Sequence, residues 1–271
     1  MVGWRGSPNN PDEPQHLAKG KITPSLLKLL KIDYCVLRKE KDFAKLKTII
    51  KKANLKKTTV ACLIEKGTLR TKKIKKKIFN KKFIYRSEFI KFFLNLIPKN
   101  SKIVSTTGYT SRELMEIRRK MKSQNGKDFY MVGGMGHASS VAMGYALHSK
   151  KKVFCLDGDG SILMHLGALR TAGYLKNDNF KHILLNNNSH ESVGGQTTTA
   201  RDIDFRKLSK SIGYKHYFKI NNKNKIKLKI NEFIKTRGTS LLEVKINNGT
   251  LNKLSRPKNL INIKERFMVN K

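Results

Sequence analysis

The sequence has three cysteines, Cys35, Cys62 and Cys155, and none stands in a CxxC pair or in a Cys/His cluster of metal-ligand spacing. This argues against a zinc framework or a disulfide scaffold, and Cys155, inside an apolar run, reads as a small hydrophobe. No stretch reaches the roughly 18 consecutive apolar residues of a membrane span. The N-terminus, "MVGWRGSPNNPDEP", lacks the basic-then-apolar order of a secretory signal. The expectation is a cytoplasmic protein with no membrane contact and reduced thiols. Acidic residues are also scarce, 19 against 58 Lys and Arg, a net charge of +39. Such a charge suggests phosphate neutralisation on nucleic acid. No nucleic-acid motif is present, however, and the basic residues are not interleaved with aromatics as stacking platforms require. The lysines run through the whole chain with many Asn and Ile, as A/T-rich codon usage would leave them. Specific nucleic-acid binding is therefore not expected, whereas attraction of small anions is. There is no internal repeat.

What is present begins with two short apolar runs, Val153 to Leu156 and His182 to Leu185, of the kind buried parallel strands show. The first ends in Gly158-Asp159-Gly160-Ser161 and the second in Asn186-Asn187. Residues 161–175 between them place Ile162, Leu166, Leu169 and Gly173 on one helical face. A strand, turn, helix, strand unit with a right-handed crossover brings both strand ends to one edge of a sheet. There Asp159 and Asn187 offer a carboxylate and an amide oxygen to one hard cation. Mg²⁺ suits that set and takes its remaining ligands from phosphate and water. Gly158 and Gly160 let the backbone approach, and the helix beginning near Ser161 aims its first amides at the same place, favouring an anion. The alternative is a glycine turn followed by an Asn-rich loop.

Along the chain, the lysine run of residues 71–82, "TKKIKKKIFNKK", divides a short first part, 1–70, from a regular second part, 87–271, through a linker drawn over 71–86. In the first part, "ITPSLLKLLKI" predicts a helix capped by Thr23 with Pro24 at its first position, and residues 58–64 a buried strand. The second part alternates: helix near 87–96, strand 103–105, helices near 111–121 and 138–148, the Gly/Asn unit, helix near 204–211 and strand 241–246. That is the pattern of an α/β fold, a doubly wound parallel sheet with helices on both faces.

At the segment "GDGSILMHLGALRTAGYLKNDNFKHILLNN" the chain resembles the thiamine diphosphate enzymes. "VGWRGSPNNPDEPQHLAKGKIT", "STTGYTSREL", "GGMGHASSVAMGYAL", "NNNSHESVGGQ" and "LLEVKINNGTLNKLSRP" extend the resemblance over nearly the whole chain, toward the branch that decarboxylates phosphonopyruvate and sulfopyruvate. "GWRG" with "DEPQH" tilts it toward phosphonopyruvate. The resemblance implies a diphosphate-binding domain at 87–271 and, at 1–70, the C-terminal part of an α/β pyrimidine-binding domain. It implies thiamine diphosphate and Mg²⁺ as cofactors, with Asp159, Asn187 and the Ser189 carbonyl as metal ligands. The reaction implied is non-oxidative decarboxylation of phosphonopyruvate to phosphonoacetaldehyde and CO₂, with a sulfopyruvate decarboxylase subunit as the alternative.

Under that resemblance Met135 wedges beneath the cofactor, or else fills a core gap. Gly133, Gly134 and Gly136 open the backbone to the pyrimidine. Gly108, Thr110 and Ser111 form a loop whose hydroxyls reach the diphosphate or pyrimidine, a solvated loop being the alternative. Ser161 is a phosphate ligand or a plain N-cap. His190 holds the substrate carboxylate or shuttles a proton, with Glu191 a lesser candidate. Arg5 and Arg112 are candidates for a bidentate phosphonate clamp, or ordinary surface ion pairs. The pyrimidine-domain glutamate that activates the cofactor in these enzymes has no counterpart in this sequence. The expected partners are thus a small anionic 2-oxoacid and either further copies of this chain or a chain carrying the rest of the pyrimidine domain. A reading frame that starts upstream of Met1 and a degraded remnant are the alternatives to a separate partner chain.

Overall fold

The computed structural model describes residues 1–8, 10–70, 79–122 and 128–269, which form two compact units dividing between Lys75 and Lys76. Most of the lysine run, 71–78, lies outside the described residues. The linker drawn to residue 86 is too long: Ile84 is already buried in a strand and Arg86 begins a helix.

The first unit contains β1 (Val2–Gly3), α1 (Pro14–Leu29), β2 (Asp33–Leu37), α2 (Phe43–Lys56) and β3 (Val60–Ile64). Its sheet has the order β1-β3-β2, all parallel, with Cys35 opposite Cys62. Helix α1 starts ten residues before the expected site, with Pro14 in its first turn and Pro24 inside it. Thr23 is not a cap; its hydroxyl donates to the Lys19 carbonyl at 2.7 Å. An internal proline deprives the carbonyl four residues back of its donor. Here the indole N–H of buried Trp4 donates to that carbonyl, Gly20 O, at 2.8 Å. Gly20 is needed for the contact, because a Cβ there would lie 1.9 Å from the Gly6 carbonyl oxygen.

The second unit contains β4 (Ile84–Tyr85), α3 (Arg86–Leu96), β5 (Lys102–Ser105), α4 (Tyr109–Lys120), β6 (Asp128–Tyr130), α5 (Ala138–Leu147), β7 (Val153–Gly158), α6 (Asp159–Met164) and α7 (Leu166–Leu175). It continues with β8 (Phe180–Asn186), α8 (Phe205–Ser211), β9 (His216–Ile220), α9 (Ile226–Lys235), β10 (Ser240–Asn247) and α10 (Leu260–Val269). The sheet is wholly parallel in the order β4-β10-β8-β7-β5-β6, with β9 beside the first half of β10. One face packs Phe89, Phe93, Leu114, Ile230 and Phe233; the other packs Ala142, Leu169, Phe205 and Phe267. Both faces are covered, which is why β7 and β8 are almost continuously buried.

From β5 the chain steps one way to β6, and from β7 the other way to β8 and β10, so the strand order reverses between β5 and β7. The crevice beyond the carboxyl ends of such a pair is where open α/β sheets hold ligands. Residues 161–175 do not form the single helix expected. The backbone breaks at His165 (φ −137°, ψ 55°), α7 begins at Leu166, and the His165 ring lies on that of His137, centroids 4.1 Å apart. Gly167, a poor helix former, follows the break.

Candidate active site at the carboxyl edge

Strands β7 and β8 pair through Gly158 opposite Leu185, and the chain leaves the sheet at Asp159 after β7 and at Asn187 after β8. Asp159 opens α6 and is 3% exposed. Its carboxyl accepts the hydroxyl of Thr198 and the backbone N–H groups of its own residue and Gly160. Burial outweighs these donors and pushes the carboxyl above the usual carboxylate range. Helix α6 has six residues, too few for the macrodipole that the sequence suggested would favour an anion here.

Beyond β8 the chain folds back on itself. Ser189 bridges Thr197 in antiparallel fashion, His190 N–H donates to the Gln196 carbonyl at 2.8 Å, and Thr198 N–H donates to the Asn188 carbonyl at 3.1 Å. This return delivers Thr198 to Asp159. The half-buried Asn187 accepts the Ser189 N–H on Oδ1 at 3.1 Å and donates Nδ2 to Glu191 at 3.3 Å. The Oδ1 of neighbouring Asn188 is buried without a hydrogen-bond partner.

The loops around this pair converge on it. A Cβ on Gly160 would meet the His190 ring at 2.7 Å and the Met135 methyl at 3.4 Å, so glycine is what allows His190, Met135 and the Gly158–Ser161 turn to share one place. A Cβ on Gly108 (φ +91°) would meet Ser192 at 3.1 Å, which sets the loop after β5 against the loop after β8. Gly134 and Met135 stand between β6 and α5, and Gly136 N–H donates to Ser161 Oγ at 3.0 Å.

Several expected ligands have other duties. Ser161 Oγ is buried and shared with Thr106 Oγ1 at 2.8 Å as well as Gly136, so it ties the ends of β5 and β7 and the Met135 loop together across the switch point. Ser111, 1% exposed, bonds Ser105 Oγ at 2.8 Å and the Thr106 carbonyl at 2.7 Å, closing the turn from β5 to α4. Thr110 is buried in the first turn of α4. Arg112 donates to the carbonyls of Leu254 and, at 3.3 Å, Ser255, and lies 5.4 Å from the Tyr109 ring centroid; it holds the segment after β10. Arg5 belongs to the first unit, where it pairs with Asp12 at 2.8 Å from Nε and holds that carboxyl far below its usual range. Neither arginine stands as a free clamp.

Sequence reasoning missed Thr198, Arg86 and Glu113. Arg86, 5% exposed at the start of α3, gives Nη2 to Glu191 at 2.6 Å and Nη1 to Glu113 at 3.4 Å. Glu113 is fully buried, accepts Leu251 N–H at 2.9 Å, and is pushed up by burial. A buried arginine between two carboxylates joins residues far apart in sequence, and no local spacing announces it.

The residues at this edge fit a divalent cation with a diphosphate: a desolvated carboxylate, an oriented amide oxygen, an orphaned buried amide oxygen and glycine-lined approaches. The comparisons agree. The family described as "Thiamine pyrophosphate enzyme, C-terminal TPP binding domain" matches residues 106–244. The chain belongs to the thiamine diphosphate-dependent decarboxylase family. It is 30% identical over 275 residues to a phosphonopyruvate decarboxylase of Streptomyces viridochromogenes, covering 95% of this chain and 68% of that one. The corresponding enzyme of Streptomyces hygroscopicus is 29% identical, covering 94% and 67%. A sulfopyruvate decarboxylase subunit beta of Methanothermobacter thermautotrophicus is 41% identical over 112 residues, 41% of this chain and 58% of that one. A solved putative thiamin diphosphate-dependent enzyme from Mycobacterium smegmatis superposes with a TM-score of 0.51 at 19% identity over 60% of this chain and 32% of that one, a likeness of fold. Thiamine diphosphate is this family's cofactor and Mg²⁺ its usual partner. Among the described residues no helix is long and apolar enough to cross a membrane.

Proposed function

We propose that this chain carries the diphosphate-binding half of a phosphonopyruvate decarboxylase. The observation that carries the reading is the buried Asp159 directly after β7, next to the switch point, with Asn187 directly after the neighbouring parallel strand β8. It is supported by the similarity to phosphonopyruvate decarboxylases along 95% of the chain, against 41% for the sulfopyruvate subunit. Asp159, the Asn187 amide oxygen and the Ser189 carbonyl would hold Mg²⁺, whose charge would offset that of the diphosphate. Met135 supports the cofactor from the loop after β6. Thiamine diphosphate supplies the carbon nucleophile and the electron sink that decarboxylation of a 2-oxoacid requires. His190, against Gly160 and Met135, pairs with the substrate carboxylate or passes a proton at the reacting carbon.

In the first unit α1 leaves Leu17, Ile22, Leu26 and Leu29 exposed, and an apolar face of this kind is one a partner covers. We therefore propose that turnover requires a complementary chain or segment carrying the remainder of the pyrimidine-binding domain. The decisive assay follows CO₂ release from phosphonopyruvate, sulfopyruvate and pyruvate with thiamine diphosphate and Mg²⁺, with and without that complement. Phosphonopyruvate turnover appearing with the complement supports the reading. Sulfopyruvate turnover alone moves the substrate to the alternative, and full activity of the 271-residue chain by itself contradicts the need for a complement.

A further inference from the structure

We infer that Glu191 and Arg86 are positioning residues that fix which end of the Asn187 amide faces the metal. The inference rests on the metal site proposed above. An asparagine amide is nearly symmetric in shape, yet its oxygen can ligate a hard cation and its NH₂ group cannot. Its orientation must therefore be set by a neighbour. Glu191 Oε2 accepts Asn187 Nδ2 at 3.3 Å, which commits the NH₂ end and leaves Oδ1 with one local contact, the Ser189 N–H at 3.1 Å, and a lone pair to give.

Glu191 has to be held in place for this to work. Its Oε1 accepts Gly249 N–H, and its Oε2 is held by Arg86 at 2.6 Å. Arg86 is itself anchored by the fully buried Glu113 at 3.4 Å. The chain Glu113, Arg86, Glu191, Asn187 thus runs from the buried base of α4 through the start of α3 to the metal loop. Two carboxylates share one guanidinium, and its contact with Glu191 at 2.6 Å is shorter than that with Glu113 at 3.4 Å. Partners in this position around metal sites typically change affinity by about 10- to 100-fold.

The test is calorimetric titration of the full chain with Mg²⁺ at saturating thiamine diphosphate, with a melting curve of each variant to monitor folding. Glu191→Gln is expected to raise the Mg²⁺ dissociation constant by about 10- to 100-fold, and Arg86→Lys, which keeps the charge but loses the fork, by less in the same direction. The discriminating variant is Asn187→Asp, whose two oxygens make orientation irrelevant. In that background Glu191→Gln should cause no further loss, whereas a merely structural role would give the same loss in both backgrounds and would overturn the inference. Unchanged Mg²⁺ affinity in Glu191→Gln also overturns it. Asp159→Ala separates the two levels: if it abolishes Mg²⁺ binding while Glu191→Gln does nothing, only the inference fails, and if Asp159→Ala does nothing, the metal site and the inference fail together.

Discussion

At the amino ends of the strands in the second unit, Lys181 donates its ammonium to the Thr236 and Gly238 carbonyls at 2.6 and 3.0 Å and to Ser240 Oγ at 3.2 Å. Lys102 donates to the Phe267 carbonyl at 2.7 Å and lies 4.9 Å from that residue's ring centroid. At the carboxyl ends, Asp159 is buried and held above the usual carboxylate range, and the Oδ1 of Asn188 is buried without a hydrogen-bond partner. Both edges take polar groups out of water, at similar expense. The difference is that the amino edge supplies its ammonium groups with acceptors from within the fold, whereas the carboxyl edge leaves an amide oxygen without a donor. Burial of a charge therefore does not mark a site; burial with an incomplete set of partners does.

The largest effect expected from this contrast is on stability at the amino edge. Lys181→Ala removes three hydrogen bonds, takes the ammonium donor from the half-buried Thr236 carbonyl and leaves the buried Gly238 carbonyl with only the Ser240 hydroxyl, and should lower the unfolding free energy by about 3 to 5 kcal/mol in chemical denaturation. It should leave Mg²⁺ and thiamine diphosphate affinity unchanged. A large loss of cofactor affinity in a folded Lys181→Ala protein would erase the distinction between the edges.

The next effect is the pH dependence of the same residue. Burial lowers Lys181 from 10.5 to about 8, so between those values the unfolded chain binds a proton that the folded chain does not. Stability attributable to Lys181 must then rise with pH across that window, by about 2 to 3 kcal/mol, and level off below about 8, where both states are protonated. Denaturation of the native protein and Lys181→Ala at about pH 7.5 and about pH 10, either end of that window, should show this as a difference in slope; equal slopes would mean that Lys181 is not desolvated.

Smaller effects sharpen the division within the carboxyl edge. Ser111→Ala removes bonds that close the turn from β5 to α4 and should cost about 1 to 2 kcal/mol, with cofactor affinity changed by no more than about twofold. A tenfold loss of affinity would restore Ser111 to the ligand role read from the sequence. In the first unit, Trp4→Phe leaves the Gly20 carbonyl without its indole donor and should cost about 1 kcal/mol, measured by far-ultraviolet circular dichroism, which does not depend on the lost tryptophan.

The Gly158–Ser161 turn, the Asn186-Asn187 pair and most helices and strands of the second unit were legible because each is local: an apolar run with turn chemistry at its end. What escaped was tertiary. Arg86 falls in the stretch that reads as a linker, because nothing near it in sequence shows that Glu113 and Glu191, 27 and 105 residues away, meet on it. Thr198 reaches Asp159 only because residues 189–197 fold back. Ser111 and Ser161 lie in the expected loops, but whether a loop hydroxyl faces a ligand or its own backbone is decided by packing that spacing does not report. In the first unit, Pro24 argued for a helix start, and only the position of Trp4 reveals how the helix tolerates it.

The measurement that bears most directly on the central claim is the melting temperature of the protein with thiamine diphosphate and Mg²⁺, together and separately, for the native chain and Asp159→Asn, with the complementary segment present. A ligand at about 100 times its dissociation constant adds about 2.7 kcal/mol. The native chain should therefore shift by several degrees only when both cofactor and metal are supplied. Asp159→Asn should show no shift, while its unliganded form melts no lower than the native chain because the desolvated carboxylate is gone. An equal shift in native and Asp159→Asn proteins, or none in the native protein, would contradict a metal and diphosphate site at the carboxyl edge.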